Sequence, residues 1–394
     1  MRVLFTAQPG AGHWHPLVPL AQALAASGHE VACATAPGFC GRVAATGFRC
    51  FPVGVDETEA ELRERGDRLA GLPGKEQAAF FWSHVFAGTR AERTLPDLLA
   101  LGTSWQLDLI VRENMEFTGC IVAERLGIPH AAVQVTAWRP HMHSLVVAPL
   151  NSLRAGIGLL PDPELAMLHR YLLLDLAPPS YRNGGAPLPP TTHAVRPIAF
   201  DRAEGEPAPV WVEHLPSGRP VVYATMGTTY NRTPGVMEAI VAGLRQEPLT
   251  LILTVGRNRD PIEFGEQPAN VRIERYVPQS LLFPHCDVVV THGGSGTVLS
   301  ALGQGLPMVI IPIAADQPDN AERCAELGVA RGIAPDQRTP DAIREAVRDV
   351  LTQPSYRQCA GRTQAEMASL PGPEEVVGLL EQLATEKSPR VAAG

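Results

Sequence analysis

Two hydrophobic patterns alternate along this chain. Short, largely apolar runs, several of them rich in β-branched residues, occur at Val3-Leu4-Phe5, Val31–Ala34, Leu107–Val111, Ala131–Val135, Val221–Ala224, Thr250–Val255, Val288–Thr291 and Met308–Ile311. Such runs predict strands buried on both faces, as in parallel sheets. Between them, apolar positions at helical spacing predict helices over Pro16–Ser27, Thr118–Leu126, Pro234–Arg245, Gln317–Leu327 and Pro340–Leu351. Strand and helix in alternation imply an α/β fold built on parallel sheets. The pattern starts afresh at Val221, after a proline-rich stretch over 177–220. We therefore expect an N-terminal Rossmann-like domain over 1–200, an inter-domain linker over 201–219, a second Rossmann-like domain over 220–375, and a C-terminal helix and tail over 376–394. The last residues, 388–394, read as a disordered tail. Ligands of such sheets bind at the carboxyl ends of the strands. Two sheets facing one cleft would hold two substrates.

The turns that leave these strands carry the candidate chemistry. His292-Gly293-Gly294-Ser295-Gly296-Thr297 joins the strand ending at Thr291 to a helix beginning near Val298. A glycine-rich strand-to-helix turn points backbone N–H groups at one spot, at the positive end of the helix dipole. This is an anion site. Walker A and nucleophile-elbow motifs are excluded, because Thr297-Val298 follows the last glycine and Thr297 stands where the elbow needs glycine. The first strand leads into Gly10-Ala11-Gly12-His13-Trp14-His15-Pro16. His15 stands where a dinucleotide fingerprint needs its third glycine. An imidazole at such a turn suits general-base work near neutral pH. Leu107–Glu113 is a strand ending in a carboxylate at the same sheet edge, so Glu113 is a candidate to orient His13. Asp316-Gln317, after Met308–Ile311, pairs a charged acceptor with a mixed donor–acceptor, suited to sugar hydroxyls or to helix capping. Tyr276-Val277-Pro278-Gln279 offers an aromatic face and backbone groups for a nucleobase, and Gly227-Thr228-Thr229 offers hydroxyls for a diphosphate.

Composition narrows the partners. The net charge is −8, and lysines occur only at Lys75 and Lys387, which argues against a nucleic-acid partner. Seven scattered cysteines without a Cys-x-x-Cys pair read as reduced thiols of a cytoplasmic protein. The apolar Met1–Thr6 is too short for a signal peptide, and no run of 18 apolar residues predicts a membrane span.

Taken together, Gly12-His13-x-x-Pro16, Tyr276-Val277-Pro278-Gln279, His292–Thr297, Gly305-x-Pro307 and Asp316-Gln317-x-x-Asn320 resemble the nucleotide-sugar-dependent glycosyltransferases of the GT-B fold. The resemblance is to the bacterial natural-product branch that decorates macrolides, enediynes and aromatic polyketides, and it covers nearly the whole chain. It implies His13 as the base that deprotonates an acceptor hydroxyl and Glu113, where the family usually has Asp, as its partner. It implies Thr228, His292, Gly294, Ser295, Gly296 and Thr297 around the donor diphosphate. Tyr276, Val277 and Gln279 would meet the base of the nucleotide, and Asp316 and Gln317 would read the sugar. The acceptor is expected in the N-terminal half, on Trp14, Phe81, Trp82, Trp138 and His141. His141 and His143 lack a third ligand, and the chain has no Asp-x-Asp motif, so no metal site and no cofactor beyond the co-substrate is expected.

One departure bears on the donor. Many UDP-sugar-using relatives carry Glu eight residues after the motif histidine, where it binds both ribose hydroxyls. Here that position is Ser300, which suits a deoxyribose and hence a dTDP-activated (deoxy)sugar. The expectation is an inverting, metal-independent transferase acting on an apolar aglycone in antibiotic biosynthesis, with a homodimer left open. The alternatives are a UDP-sugar-using antibiotic-modifying transferase, a sugar-nucleotide epimerase of the same fold, a nicotinamide-dependent oxidoreductase on Gly10-x-Gly12, and a non-catalytic auxiliary protein.

Overall fold

A computed structural model of the chain describes residues 1–182, 187–201, 209–216 and 218–392. The expected linker falls partly on 202–208 and 217, and the end of the expected tail on 393–394. Those residues lie outside the described ones.

The apolar runs become two all-parallel sheets. The first contains β1 (Arg2–Thr6), β2 (Glu30–Thr35), β3 (Arg49–Pro52), β4 (Leu109–Glu113), β5 (His130–Gln134), β6 (Leu172–Asp175) and β7 (Thr192–Ala194), in the order β3-β2-β1-β4-β5-β6-β7. The second contains β8 (Val221–Thr225), β9 (Thr250–Thr254), β10 (Val271–Glu274), β11 (Val288–Thr291), β12 (Met308–Ile310) and β13 (Ala330–Gly332), in the order β10-β9-β8-β11-β12-β13. Each order reverses direction once, between β1 and β4 and between β8 and β11. Those are the topological switch points at which open α/β sheets bind ligands. Central strands are buried on both faces, as their largely apolar runs require. Leu4, Ile110, Ala132, Leu251, Val289 and Val309 are all fully buried.

In the second sheet, Val222, Ala224, Leu251, Leu253, Val288 and Val290 share one face. They pack against Ile240 and Leu244 of the helix Val236–Leu244 and Ile343 and Val347 of the helix Pro340–Thr352. Burying these side chains is worth about 1.5–3 kcal/mol each before entropy is counted.

The chain divides into two units, and the division differs from a simple cut. Unit 1 comprises Met1–Pro178, Arg182–Phe200 and Leu370–Gly394, and unit 2 comprises Pro179–Tyr181 and Asp201–Ser369. The C-terminal helix, Pro373–Glu386, thus returns to unit 1 and packs on the helix Val18–Ala26. Arg196 N–H donates to Pro371 C=O at 2.9 Å, and His29 meets Glu381 at 2.9 Å. The tail is held where disorder was expected. Arg390 N–H donates to Tyr171 C=O at 2.7 Å and Ala392 N–H to Pro190 C=O at 3.0 Å.

Other departures have local causes. The first helix starts earlier than the apolar period suggested, as Ala11–Trp14, a 3₁₀ turn His15–Leu17, and Val18–Ala26, because Pro16 and Pro19 interrupt the hydrogen-bond ladder. Strand β7 lies inside the proline-rich stretch, at the sheet edge where a short strand suffices. Cys40 and Cys50 form a disulfide, contrary to the expectation of reduced thiols throughout. The helix Cys40–Ala44 packs beside β3 and brings their Cα atoms to 5.4 Å, within bonding range. Cys33, Cys120, Cys286, Cys324 and Cys359 are free. Among the described residues, no helix is long and apolar enough to cross a membrane.

Candidate functional site

In unit 1 the chemistry sits at the switch point. Strand β1 pairs with β4 so that Thr6 faces Arg112, which sets Glu113 beside the turn that leaves β1. Gly10 is extended, and its carbonyl accepts the amides of His13 at 3.1 Å and Trp14 at 3.0 Å, starting the helix. A Cβ at Gly10 would stand 3.1 Å from His13 Cδ2, so glycine lets the imidazole lie over the turn. His13 Nδ1 meets Glu113 Oε1 at 3.1 Å, so the longer carboxylate arm closes the pair. The Glu113 side chain is fully buried, while that of His13 is 23% exposed, so only the imidazole reaches outward. Glu113 also accepts from Met115 N–H at 2.8 Å through Oε2. An anionic carboxylate on Nδ1–H fixes that proton and leaves the lone pair on Nε2.

The acceptor residues expected around this pair are only partly brought together. Trp14 is fully buried between Phe5 and Phe48, with its Nε1–H donating to Thr46 Oγ1 at 3.1 Å. It is a core residue, because the helix turns it away from His13. The segment Phe81–Arg90 forms wide π-type turns and places Phe86 edge-on to His13 at 5.9 Å, with Phe81 5.9 Å from Phe86. Trp82 packs on Phe117 and His143. Trp138 joins His143 and His169 at 5.4 and 5.1 Å. His141 is exposed, and His143 takes the inward place it was expected to fill. Burial pushes His143 down to about 4 and His169 well below the ordinary histidine range, so this ring cluster is uncharged at neutral pH. The ring nitrogens of His169 and Nε1 of Trp138 are buried without a hydrogen-bond partner among the described residues.

In unit 2 the switch point is built from bare backbone. Gly293 has φ +87, and a Cβ there would stand 2.7 Å from Ile310 Cγ2. The His292 ring lies against two more glycines. A Cβ on Gly227 or on Gly294 would come within 2.6 Å of it. Burial pushes His292 down to about 4, opposed by Asp316, so it enters neutral chemistry as a donor or acceptor without charge. The helix Ser295–Gly303 follows directly, and its N-cap Gly294 supplies no side-chain hydrogen bond. Its first N–H groups are therefore available to an anion.

A polar net braces this turn. Ser295 Oγ–H donates to Asp316 Oδ2 at 2.6 Å, and Asn320 Nδ2 donates to Gly293 C=O at 2.8 Å and to Asp316 Oδ2 at 3.1 Å. Asp316 thus faces the loop with one oxygen engaged. Gln317 turns its carbonyl oxygen to the backbone. It is 1% exposed, and its Oε1 accepts from Ile313 and Ala314 N–H at 2.7 and 2.9 Å, holding the loop before it. That loop carries a non-glycine residue at positive φ, Ala315 at +58, a conformation kept only where its surroundings enforce it. Arg257 covers the Tyr276 ring at 4.0 Å, and the Tyr276 hydroxyl donates to Asp201 C=O. Val277 is buried, and Gln279 Nε2 donates to Thr297 Oγ1 at 3.2 Å. Thr228 is exposed on the turn after β8. Sequence reasoning passed over Gln8 and Arg90; the signal for Gln8 was its place between β1 and Gly10.

Two Rossmann-like units, one presenting a histidine–carboxylate pair and one a glycine-lined helix N-terminus, define the class of GT-B glycosyltransferases. Comparison with known proteins agrees. Residues 22–182 match the N-terminal and 244–383 the C-terminal domain of the family described as erythromycin biosynthesis protein CIII-like. The chain is 30% identical to 4'-demethylrebeccamycin synthase of Lentzea aerocolonigenes, covering 97% of this chain and 99% of that protein. It is 31% identical to L-demethylnoviosyl transferase of Streptomyces niveus, with 98% of each covered. Among solved structures, glycosyltransferase VinC in complex with dTDP superposes with a TM-score of 0.81 at 27% identity, over 98% of this chain and 100% of that one. The Streptomyces sp. SF2575 glycosyltransferase SsfS6 with thymidine diphosphate gives 0.78 at 28%, over 97% and 99%. The chain belongs to the erythromycin biosynthesis protein CIII-like family of GT-B natural-product glycosyltransferases.

Proposed function

We propose that this glycosyltransferase inverts the anomeric carbon of a dTDP-activated sugar and transfers it to a hydroxyl of an apolar natural-product acceptor, with His13 as general base. The observation that carries the reading is the His13–Glu113 pair: a partly exposed imidazole whose inner nitrogen is tied to a fully buried carboxylate. In the reaction, the acceptor oxygen attacks the anomeric carbon and its proton passes to His13 Nε2. The bond from that carbon to the diphosphate oxygen breaks, and its electron pair leaves on dTDP. Glu113 fixes the tautomer and stabilises the imidazolium. Charge growing on the diphosphate is met by the uncapped N–H groups of Ser295–Gly303, by neutral His292 and by Thr228.

Asp316 would read sugar hydroxyls through the oxygen that Ser295 and Asn320 leave free. Gln317 supports the loop that presents it. The aromatic wall of Phe81, Phe86 and Trp82 fits an apolar acceptor better than Trp14 or His141 do. The dTDP preference rests on Ser300 and on the dTDP-bound relatives.

Replacing His13 with Ala should reduce transfer at least about 10²-fold while leaving dTDP binding by calorimetry unchanged. Retained turnover refutes the base. Clearly tighter binding of UDP than of dTDP refutes the donor assignment.

A further inference from the structure

The π-type segment Phe81–Arg90 does more than supply a ring wall. Its last residue reaches the strand turn that carries the base. Arg90 Nη1 donates to Gln8 Oε1 at 3.2 Å, and Arg90 Nη2 pairs with Glu57 Oε2 at 2.9 Å. Gln8 relays the contact: its Nε2 donates to Met115 C=O at 3.0 Å, while Met115 N–H holds Glu113 Oε2 at 2.8 Å. Gln8 N–H also points at Glu113 Oε1, at 3.4 Å. The same guanidinium lies 5.7 Å from the centre of the Phe86 ring, whose edge meets His13. The wide turn makes this reach possible. Gly88 leaves helical geometry, at φ −95 and ψ −109, and a Cβ there would press the carbonyl of Ser83, five residues back, at 3.1 Å.

We propose that Arg90 is a positioning residue for the His13–Glu113 pair, acting through Gln8 on the placement of Glu113 and through its charge on the protonation balance of His13. The charged groups around it come from four elements. Glu57 precedes the helix Glu59–Leu69, and Arg65 on that helix shares Glu57 and lies 5.6 Å from the Phe81 ring. Glu113 comes from β4 and His13 from the helix after β1. Glu116, the next carboxylate along, is occupied by Thr6 Oγ1 and the amides of Thr118 and Gly119. Arg112 is turned away, donating to the carbonyls of Glu113, Asn114, Glu116 and Leu168. Burial disfavours the Arg90 cation and the Glu113 carboxylate opposes that effect, so the two charges sense each other. Arg90 thus sets a positive charge near Glu113, and Glu57 sets a negative one beside Arg90.

The inference rests on His13 being the base, yet its test does not use turnover. The histidine Cε1–H resonances of the full chain are followed by NMR from pH 5 to 9, with the His13 signal assigned by its loss in His13→Gln. Removing the cation in Arg90→Gln should raise the His13 titration midpoint by about half a pH unit. Removing its partner in Glu57→Gln should lower the midpoint by a similar amount. Arg90→Lys, which keeps the charge, should stay close to the parent. Shifts of opposite sign cannot come from general loosening of the fold. If Arg90→Gln fails to fold, Glu57→Gln and Arg90→Lys still decide. Unmoved midpoints, or shifts in one direction for both neutral variants, overturn the role of Arg90. Turnover retained by His13→Ala overturns the base instead, and leaves the titration result standing.

Discussion

The two sheets share a topology and use it differently. Each reverses its strand order once, and each places its candidate chemistry on the turns at that point. In unit 1 the turn presents side chains: His13 over Gly10, tied to buried Glu113. In unit 2 it presents backbone: Gly227, Gly293 and Gly294 strip the turn of Cβ atoms around His292, and the helix that follows starts without a cap. In the proposed reaction one switch point would move a proton and the other would receive negative charge. Topology says where a site lies. The presence or absence of a side chain at two or three turn positions says what kind of site it is.

That contrast can be broken in order of expected effect. Glu113→Gln removes the negative charge that would hold the Nδ1 proton and stabilise the imidazolium, and should lower kcat by about 10²–10³-fold while dTDP binding is unchanged. A variant that lost dTDP affinity as well would show that the two sites are not separable. Gly294→Ala forces a methyl to within 2.6 Å of the His292 ring and should weaken dTDP binding about 10-fold or more by calorimetry, with the His13 NMR titration unmoved. Unchanged affinity would remove the bare turn from the donor site. Ser300→Glu should shift the ratio of UDP to dTDP affinity toward UDP by about 10-fold, one charge-assisted hydrogen bond's worth. An unaltered ratio would detach Ser300 from nucleotide choice.

A further effect is on acid stability, and it too separates the units. Burial pushes His130 down to about 3 and His143 to about 4, and holds His169 well below its ordinary value, all in unit 1. In unit 2, His292 is pushed to about 4. In the unfolded chain these imidazoles take up protons near pH 6.5, but in the folded chain His130, His143 and His292 do so only near 3–4 and His169 well below its ordinary value. The unfolded state binds more protons in between, so stability is full above about 6.5 and falls as pH drops toward 4. Unit 1 should lose more per pH unit than unit 2, and His169→Phe should flatten its loss, as read from urea unfolding at pH 7.5 and 5. Equal slopes for wild type and variant would place His169 outside this balance.

The C-terminal helix, the disulfide and the acceptor wall mark where reading the chain alone stopped. Nothing in the amphipathic pattern of Pro373–Glu386 says which unit its apolar face covers; packing on Val18–Ala26 decides that. Cys40 and Cys50 lie on a helix and a strand whose adjacency is a tertiary fact. Trp14 and His13 are neighbours in sequence, yet the helix sends one into the core and the other outward.

What the sequence determined by itself was local: strands from largely apolar runs, helix starts after glycine turns, and therefore His13, Glu113, His292 and the turn glycines at strand ends. These follow from short-range physics, since periodicity and backbone freedom act within a few residues. The tertiary structure decided which polar groups face a ligand and which brace the fold. Gln317 turns to the backbone of Ile313 and Ala314, Arg257 covers Tyr276, and Arg90 reaches Gln8 across more than eighty residues of chain, at |i−j| = 82. A buried polar side chain must find its partner wherever the fold places one, and that partner is rarely close in sequence.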